Sequence, residues 1–328
     1  MITRVLAARE PQERAAAVGE AVELLRAEQV VALPTETVYG LAADALKADA
    51  ALKIFEAKER PHFDPLIVHL PDADWLARIA IVPQRSRDLV DRLVQRFWPG
   101  PLTLVLPRQS TVPDVVTAGL DTVAVRVSAH PVFRDVVNAF GPLAAPSANR
   151  FGRISPTAAE HVHAELAGRI PLIVDGGATA HGLESTIVAV RDGQLAILRH
   201  GPVTAEQLGE FGTVTAETAG SQIRAPGQLP SHYAPQTRLV LTRDPRSAAI
   251  ADTLRVGALT WCDPDLPGFT ATRALSLSRN LREAAANLFR YLRELDELGL
   301  DLIVSEEVPE AGLGTAINDR LQRAAANR

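Results

Sequence analysis

Pro34-Thr35-Glu36-Thr37-Val38-Tyr39-Gly40, Lys58-Glu59-Arg60-Pro61 and Pro65-Leu66-Ile67-Val68-His69 fall within one short block of the chain. The apolar runs at its two ends, Val30–Pro34 and Pro65–Leu70, read as strands. Between them Asp49–Lys58 reads as a helix, with Asp49 as N-cap, Leu52 and Phe55 on one face, and Pro61 blocking continuation. Strand, helix, strand is the alternation of an α/β domain. Lys58 and Arg60 then stand at an exposed helix end, two residues apart in extended chain and so on one side of it. Of 34 basic residues only Lys47, Lys53 and Lys58 are lysine, and all three lie in or beside this block. A chain that otherwise uses arginine has kept an ammonium here, a compact charge suited to phosphate oxygens.

The same alternation continues outward. Leu102–Leu106, Thr122–Ser128, Leu143–Pro146, Leu172–Asp175, Ser185–Val190 and Leu195–Arg199 are apolar runs bounded by Gly, Pro, Asp and Asn, as strands are. Gln12–Glu28, Ser86–Phe97, Pro131–Ala139 and Thr157–Leu166 read as helices. Composition changes after Gly201, and residues 204–237 read as a stiff linker ending in Pro226-Gly227-Gln228-Leu229-Pro230-Ser231-His232-Tyr233-Ala234-Pro235. Beyond it, Arg238–Thr242, Val256–Trp261, Ala274–Ser278 and Asp301–Ser305 read as strands of a small parallel sheet. Leu281–Leu298 is an amphipathic helix, and Gly312-Leu313-Gly314 opens a last one through Arg323.

Composition narrows the function. At 328 residues the chain exceeds what one core usually supports, so two domains are expected. Net charge is −5, with 21 basic and 23 acidic residues before position 200 and 13 and 16 after it. Strong direct nucleic-acid binding, which needs clustered cations, is not expected. One cysteine, Cys262, excludes an internal disulfide and a Cys-rich zinc site. The absence of an 18-residue apolar run and of a signal-peptide core leads to the expectation of a cytoplasmic protein away from membranes. No Walker loop, complete dinucleotide fingerprint or nucleophile elbow occurs. His161 and His163, two apart on a helix, face different ways and read as surface histidines.

What remains is polar residues at strand ends, where α/β sheets build their sites. Arg126 is a lone cation inside Val123–Val127, and a buried arginine needs an anion or a structural carboxylate. Both readings stay open. Ser147 and Asn149, Ser155, Ser185 and Arg199 stand at similar strand ends. With Lys58 and Arg60 they outline a concave cationic pocket for a small polyanion.

Taken together, PTETVYGL, Lys-x-Arg-Pro, PLIVH, PSAN with SPT, ESTIV and the Leu-Arg-x-Gly strand resemble the YrdC-like family. The PGQLPSHYAP linker and the closing GLGTAINDRL segment are similar to its two-domain branch, the threonylcarbamoyl-AMP synthases. The resemblance implies a YrdC-like twisted mixed sheet with flanking helices over 1–205, a linker and lid over 206–237, and a small Rossmann-like α/β domain over 238–328. It implies an adenylyl-transferring enzyme, a nucleotidyltransferase of tRNA processing. L-threonine, bicarbonate (or CO2) and ATP would give threonylcarbamoyl-AMP and pyrophosphate, with Mg2+ carried by the phosphates and no metal ligands from side chains. A tRNA-modifying transferase complex would be the downstream partner.

By motif, Lys58 and Arg60 are the expected catalytic residues. Thr37, His69, Arg126, Ala145 and Ser185 would face threonine, with Thr35 a near neighbour. Lys58, Arg60, Asp64, Thr122, Ser147, Asn149, Ser155 and Arg199 would face ATP, with His232 and Tyr233 closing from the linker. Three positions depart from the family pattern: Glu59, which puts an extra anion near the phosphates, Asp64 in place of asparagine, and Phe151 in place of a small polar residue. The alternatives are another YrdC-like carbamoyltransferase and a non-catalytic RNA-binding module.

Overall fold

The computed structural model describes residues 1–216, 224–229, 232–247 and 253–326. The first unit runs β1 (Arg4–Ala7), α1 (Pro11–Arg26), β2 (Val31–Leu33), β3 (Gly40–Asp44), α2 (Ala48–Lys58), β4 (Ile67–His69) and α3 (Leu76–Ile79). It continues with α4 (Arg87–Phe97), β5 (Leu102–Pro107), α5 (Asp114–Thr117), β6 (Thr122–Arg126), α6 (Pro131–Phe140), β7 (Leu143–Ala144), α7 (Ala159–Leu166) and β8 (Leu172–Asp175). Then come β9 (Thr186–Arg191), β10 (Gln194–Arg199), α8 (Ala205–Gly209) and β11 (Val214–Ala216). The second unit comprises β12 (Arg238–Thr242), β13 (Val256–Thr260), β14 (Ala271–Ala274), α9 (Leu281–Asp296), β15 (Leu302–Glu306) and α10 (Leu313–Ala325).

Eleven strands form one mixed sheet in the order β1-β8-β2-β3-β7-β4-β6-β5-β9-β10-β11. The second sheet, β12-β15-β13-β14, is parallel throughout. No helix among the described residues is long and apolar enough to cross a membrane. Residues 217–223 and 230–231 of the expected linker lie outside the described residues. Its start is regular structure: α8, and β11 paired in parallel with β10.

Local chemistry sets the helix ends. Pro11 opens α1, where its missing N–H costs nothing, and the Glu13 carboxylate accepts from the Glu10 N–H at 3.2 Å. Lys47, and not Asp49, is the N-cap of α2, and Asp49 sits in the first turn, where its charge suits the helix dipole. Glu59 ends that helix in the left-handed region at φ 54°, so Lys58 and Arg60 are not neighbours in extended chain. Asn280 caps α9 by accepting from the Arg282 and Glu283 N–H groups. Leu288, Leu292 and Leu295 are its buried stripe, while Leu298 lies past its end and is 40% exposed.

Alternation along the strands sorts side chains onto two faces. One face packs Ala32, Val68, Leu104 and Val125 beneath α2, α4 and α7. On the other, α1 and α6 cover Val31, Leu33, Leu143 and Val174. They stop at β7. Beyond them the same face continues over β4, β6, β5, β9 and β10 as a shallow apolar floor of Ile67, Val105, Ala124, Ile187, Ala189 and Leu198. Ala225 of the linker lies on it.

The two units share a core. Val38, Ile154 and Leu183 of the first pack with Tyr233 of the linker and with Leu288 and Phe289 of α9. Gly182 permits this approach, since a Cβ there would stand 2.5 Å from the Ala285 carbonyl oxygen, and its φ is +67°. Leu288→Ala, which empties part of this core, should cost about 2–5 kcal/mol of unfolding free energy in urea titrations. A loss below about 0.5 kcal/mol would show that the α9 stripe does not hold the second unit together.

Candidate active site

The part of the sheet face beyond α1 and α6 ends in a cavity. The turn 35–40, β4, the β6 end, the loop 145–147 and the β9 start form its walls, and linker residues close it. Thr37, His69, Arg126, Ala145 and Ser185, the five residues expected to face threonine, all line it, as does Thr35. Thr35 and Thr37 share a hydroxyl–hydroxyl bond of 2.8 Å, and the Thr35 hydroxyl also donates to the Val38 carbonyl. The turn is thus fixed by its own side chains.

Arg126 has a protein partner. Its Nη1 donates to the Thr37 hydroxyl at 3.0 Å, and its Nη2 lies 2.6 Å from Glu36 Oε1. Ser128 donates to the other Glu36 oxygen. Burial pushes the Glu36 carboxyl up, but the Arg126 charge and the Ser128 hydroxyl outweigh it and bring it down to about 2. Arg126 Nε has no hydrogen-bond partner. Register pairs His69 with Arg126 across β4 and β6, and α6 sets the imidazole against Phe133 at 4.6 Å. Burial, with Arg126 beside it, pushes His69 down to about 3, so it is neutral at pH 7 and its Nδ1 is unpartnered.

Of the expected nucleotide residues, Arg60, Ser147, Arg199, His232 and Tyr233 line the cavity. Lys58 and Arg60 are buried, not exposed as expected, because the left-handed turn at Glu59 folds the chain back under the loop 147–149. Lys58 Nζ donates to the carbonyls of Ser147 and Asn149, both at 2.5 Å. It stands behind that loop and pins it, with one of its three donors left over. Burial, reinforced by the Arg60 charge, pushes the ammonium well down from its ordinary value.

Arg60 donates to the carbonyls of Asp64 and Pro65 and pairs with the Asp64 carboxylate at 2.9 Å. Asp64 therefore sits behind Arg60 as its counter-charge. Arg199 donates to the Ser185 carbonyl and hydroxyl and to the Pro226 carbonyl. The Asn149 amide holds the carbonyls of Arg150 and Arg153. Ser155 is fully buried and donates to Glu184. Thr122 does not reach this cavity. It stands at the opposite end of β6 from Arg126 and lines a separate depression with Pro107 and Arg191.

Glu59 is not near the phosphate-facing groups. It points outward, paired with Arg150 and, at 2.7 Å, with Arg169. Phe151 packs on the linker, its ring edge-on to His232 at 5.9 Å. His232 in turn meets Tyr233 at 4.2 Å, and burial pushes its imidazole well down. Gly227 must be glycine: a Cβ there would stand 2.4 Å from the Tyr233 hydroxyl, and its φ is +83°. His163 is exposed as expected, whereas His161 is half-buried and contacts Thr157.

Three partners went unselected in the sequence: Glu36, Glu184 and Arg320. Glu36 stood in the opening motif, a carboxylate among hydroxyls and apolar residues, with the lone strand cation Arg126 asking for one. Arg320 carried a signal too, since it lies on the same stripe as Ala316, Ile317, Leu321 and Ala324.

Residues 23–201 match the Sua5/YciO/YrdC family, described as "Telomere recombination", and residues 203–326 match "Threonylcarbamoyl-AMP synthase, C-terminal domain". The chain is 40% identical to a threonylcarbamoyl-AMP synthase of Bacillus subtilis over 100% of this chain and 96% of that one. It is 38% identical to one of Pyrococcus abyssi over 94% of each. The structure of P. abyssi Sua5 complexed with L-threonine superposes with a TM-score of 0.86 at 35% identity, covering 99% of this chain and 98% of that one.

The Glu36 and His69 values fix an acid limb. Both are depressed in the fold, Glu36 from 4.5 and His69 from 6.5, so the stability each contributes is present above its ordinary value and lost as pH falls toward the folded one. Glu36→Gln should start less stable by about 3–5 kcal/mol, because Arg126 loses its counter-charge. It should also lose less than wild type between pH 4.5 and pH 3 in urea titrations. Parallel curves for the two proteins would mean that Glu36 is not held ionised by Arg126.

Proposed function

The chain belongs to the Sua5/YciO/YrdC family and continues into the C-terminal domain of its two-domain branch, and on that premise we propose that it is an L-threonylcarbamoyladenylate synthase. Its reaction would be adenylyl transfer to the carbamate of L-threonine, the nucleotidyltransferase step that supplies the tRNA threonylcarbamoyladenosine modification. The observation that carries this reading is one cavity lined by three arginines: Arg126 bonded to Thr37 beside neutral His69, Arg199 on Ser185, and Arg60. That lining suits an amino-acid carboxylate at Arg126 and a triphosphate at Arg60 and Arg199. The likeness to a Sua5 that binds L-threonine supports the same assignment.

The chemistry follows from those arginines. The threonine carboxylate joins Arg126, whose Nε is unpartnered, and the Ala145 side chain and His69 Nδ1 bound the rest of the amino acid. The threonine nitrogen takes up CO2, or bicarbonate with loss of water, as a carbamate, losing one proton. A carbamate oxygen then attacks the α-phosphorus of ATP, and the bond to the β-phosphate oxygen breaks, releasing pyrophosphate. Arg60 and Arg199 neutralise charge on the phosphates, so catalysis is positioning plus electrostatics. Lys58 acts from behind, holding the loop 147–149 that carries Ser147 to the phosphates.

Magnesium would enter with the nucleotide. Among the described residues no group of three or more His, Cys, Asp or Glu side chains converges, and Asp64 and Glu184 are engaged by arginines. His232 and Tyr233 would exclude water from the mixed anhydride as a closing lid.

The test is pyrophosphate release from MgATP. It should require both L-threonine and bicarbonate, stop on chelation of magnesium, and fall on the order of 10²-fold in kcat/KM in Arg60→Ala. A rate unchanged by omitting threonine would overturn the reading.

A further inference from the structure

Arg320, on α10 of the second unit, is the largest side chain among the described residues with almost no exposure to solvent. Its Nε donates to Glu184 Oε2 at 2.8 Å, Nη1 to Asp319 Oδ2 at 2.7 Å and Nη2 to the His200 carbonyl at 2.9 Å. Its guanidinium carbon lies 5.0 Å from the centre of the Tyr233 ring. Glu184 and Tyr233 are both walls of the cavity, and Arg320 is not. The second Glu184 oxygen takes the Ser155 hydroxyl, so one carboxylate links the C-terminal helix to the expected nucleotide side. No other side-chain chemistry fills this role: three donors in fixed directions and a flat face for an aromatic ring belong to guanidinium.

We propose that Arg320 is a positioning residue for nucleotide binding, acting through Glu184 and Tyr233 without touching substrate; the assignment of the nucleotide side rests on the function proposed above. The physical reason is charge. Glu184 faces a cavity meant for a polyphosphate, and Arg320 neutralises it from behind. Without Arg320 the carboxylate is an uncompensated anion beside the phosphates. It is also free to let go of Ser155, while the Tyr233 ring loses the cation beneath it. Threonine, held at Arg126 with Glu36 as its own counter-charge, should feel little of this.

The experiment measures MgATP and L-threonine affinity separately by calorimetry on the full chain. Arg320→Met should weaken MgATP about tenfold and threonine less than about twofold. Adding Glu184→Gln to it should recover most of the MgATP loss, because the offending charge is gone. Arg320→Lys, which keeps a cation but not the fork, should fall between wild type and Arg320→Met, and it carries the test if the methionine variant does not fold. Equal losses for both ligands, or no recovery in the double variant, would make Arg320 a structural residue only and overturn the proposal. These are binding measurements. A wild-type chain that binds MgATP without threonine-dependent pyrophosphate release would therefore sink the proposed reaction and leave this inference standing.

Discussion

Burying positive charge is the constraint around which this molecule is built. Lys58, Arg60, Arg126 and Arg199 are each less than a tenth exposed, and a buried cation is tolerated only when its donors are satisfied. The chain meets that demand mostly with backbone carbonyls: Ser147 and Asn149 for Lys58, Asp64 and Pro65 for Arg60, Ser185 and Pro226 for Arg199. Carbonyl dipoles orient a cation without cancelling its charge. Among the described residues Glu184 is the one carboxylate on the cavity wall, while Glu36 and Asp64 pair with Arg126 and Arg60, so the wall keeps an excess of cationic groups for an anionic ligand. The loops 145–149, 64–65 and 226–227 are therefore shaped by the cations they hold, and the site is organised before substrate arrives.

The second unit enters the same scheme from outside. Its last helix grips the linker on both sides of residues 230–231: Arg323 donates to the Leu229 carbonyl, and its own carbonyl accepts from the His232 N–H. Phe289 of α9 stacks on Tyr233 at 5.7 Å. Arg293 reaches back to Glu165 and to the Ile154 carbonyl. A domain with no described side chain in the cavity thus determines where His232 and Tyr233 stand, which is a physical reason for the two units to share one core.

The regular elements were largely legible because their patterns are strong. The apolar runs bounded by Gly, Pro or Asp became strands except Ala274–Ser278, and the helix stripes became buried faces except at Leu298. The missed strands were those without such a pattern: β3 is Gly-Leu-Ala-Ala-Asp, with no β-branched or aromatic residue, and β1 and β11 are three or four residues long. β14 lies at Ala271–Ala274, just before the expected Ala274–Ser278, since a polar edge strand carries little signal. In the site, single-residue chemistry was readable and pairing was not. Arg126 announced itself as a buried cation, but Glu36 as its partner is a contact across 90 residues. Glu59 was misjudged because its left-handed backbone, which turns the side chain out to Arg150 and Arg169, leaves no trace in residue type. Asp64 reads correctly only once Arg60 is seen folded back onto it.

The central claim is that a pre-paired cationic cavity receives threonine at Arg126 and phosphates at Arg60 and Arg199. It is tested most directly by a crystal structure with L-threonine and a non-hydrolysable ATP analogue bound together. The account predicts the threonine carboxylate on Arg126 with the Glu36 pair intact, and phosphate oxygens within hydrogen-bond distance of Arg60 and Arg199. Phosphates bound away from both arginines, or threonine seated elsewhere than Arg126, would contradict it.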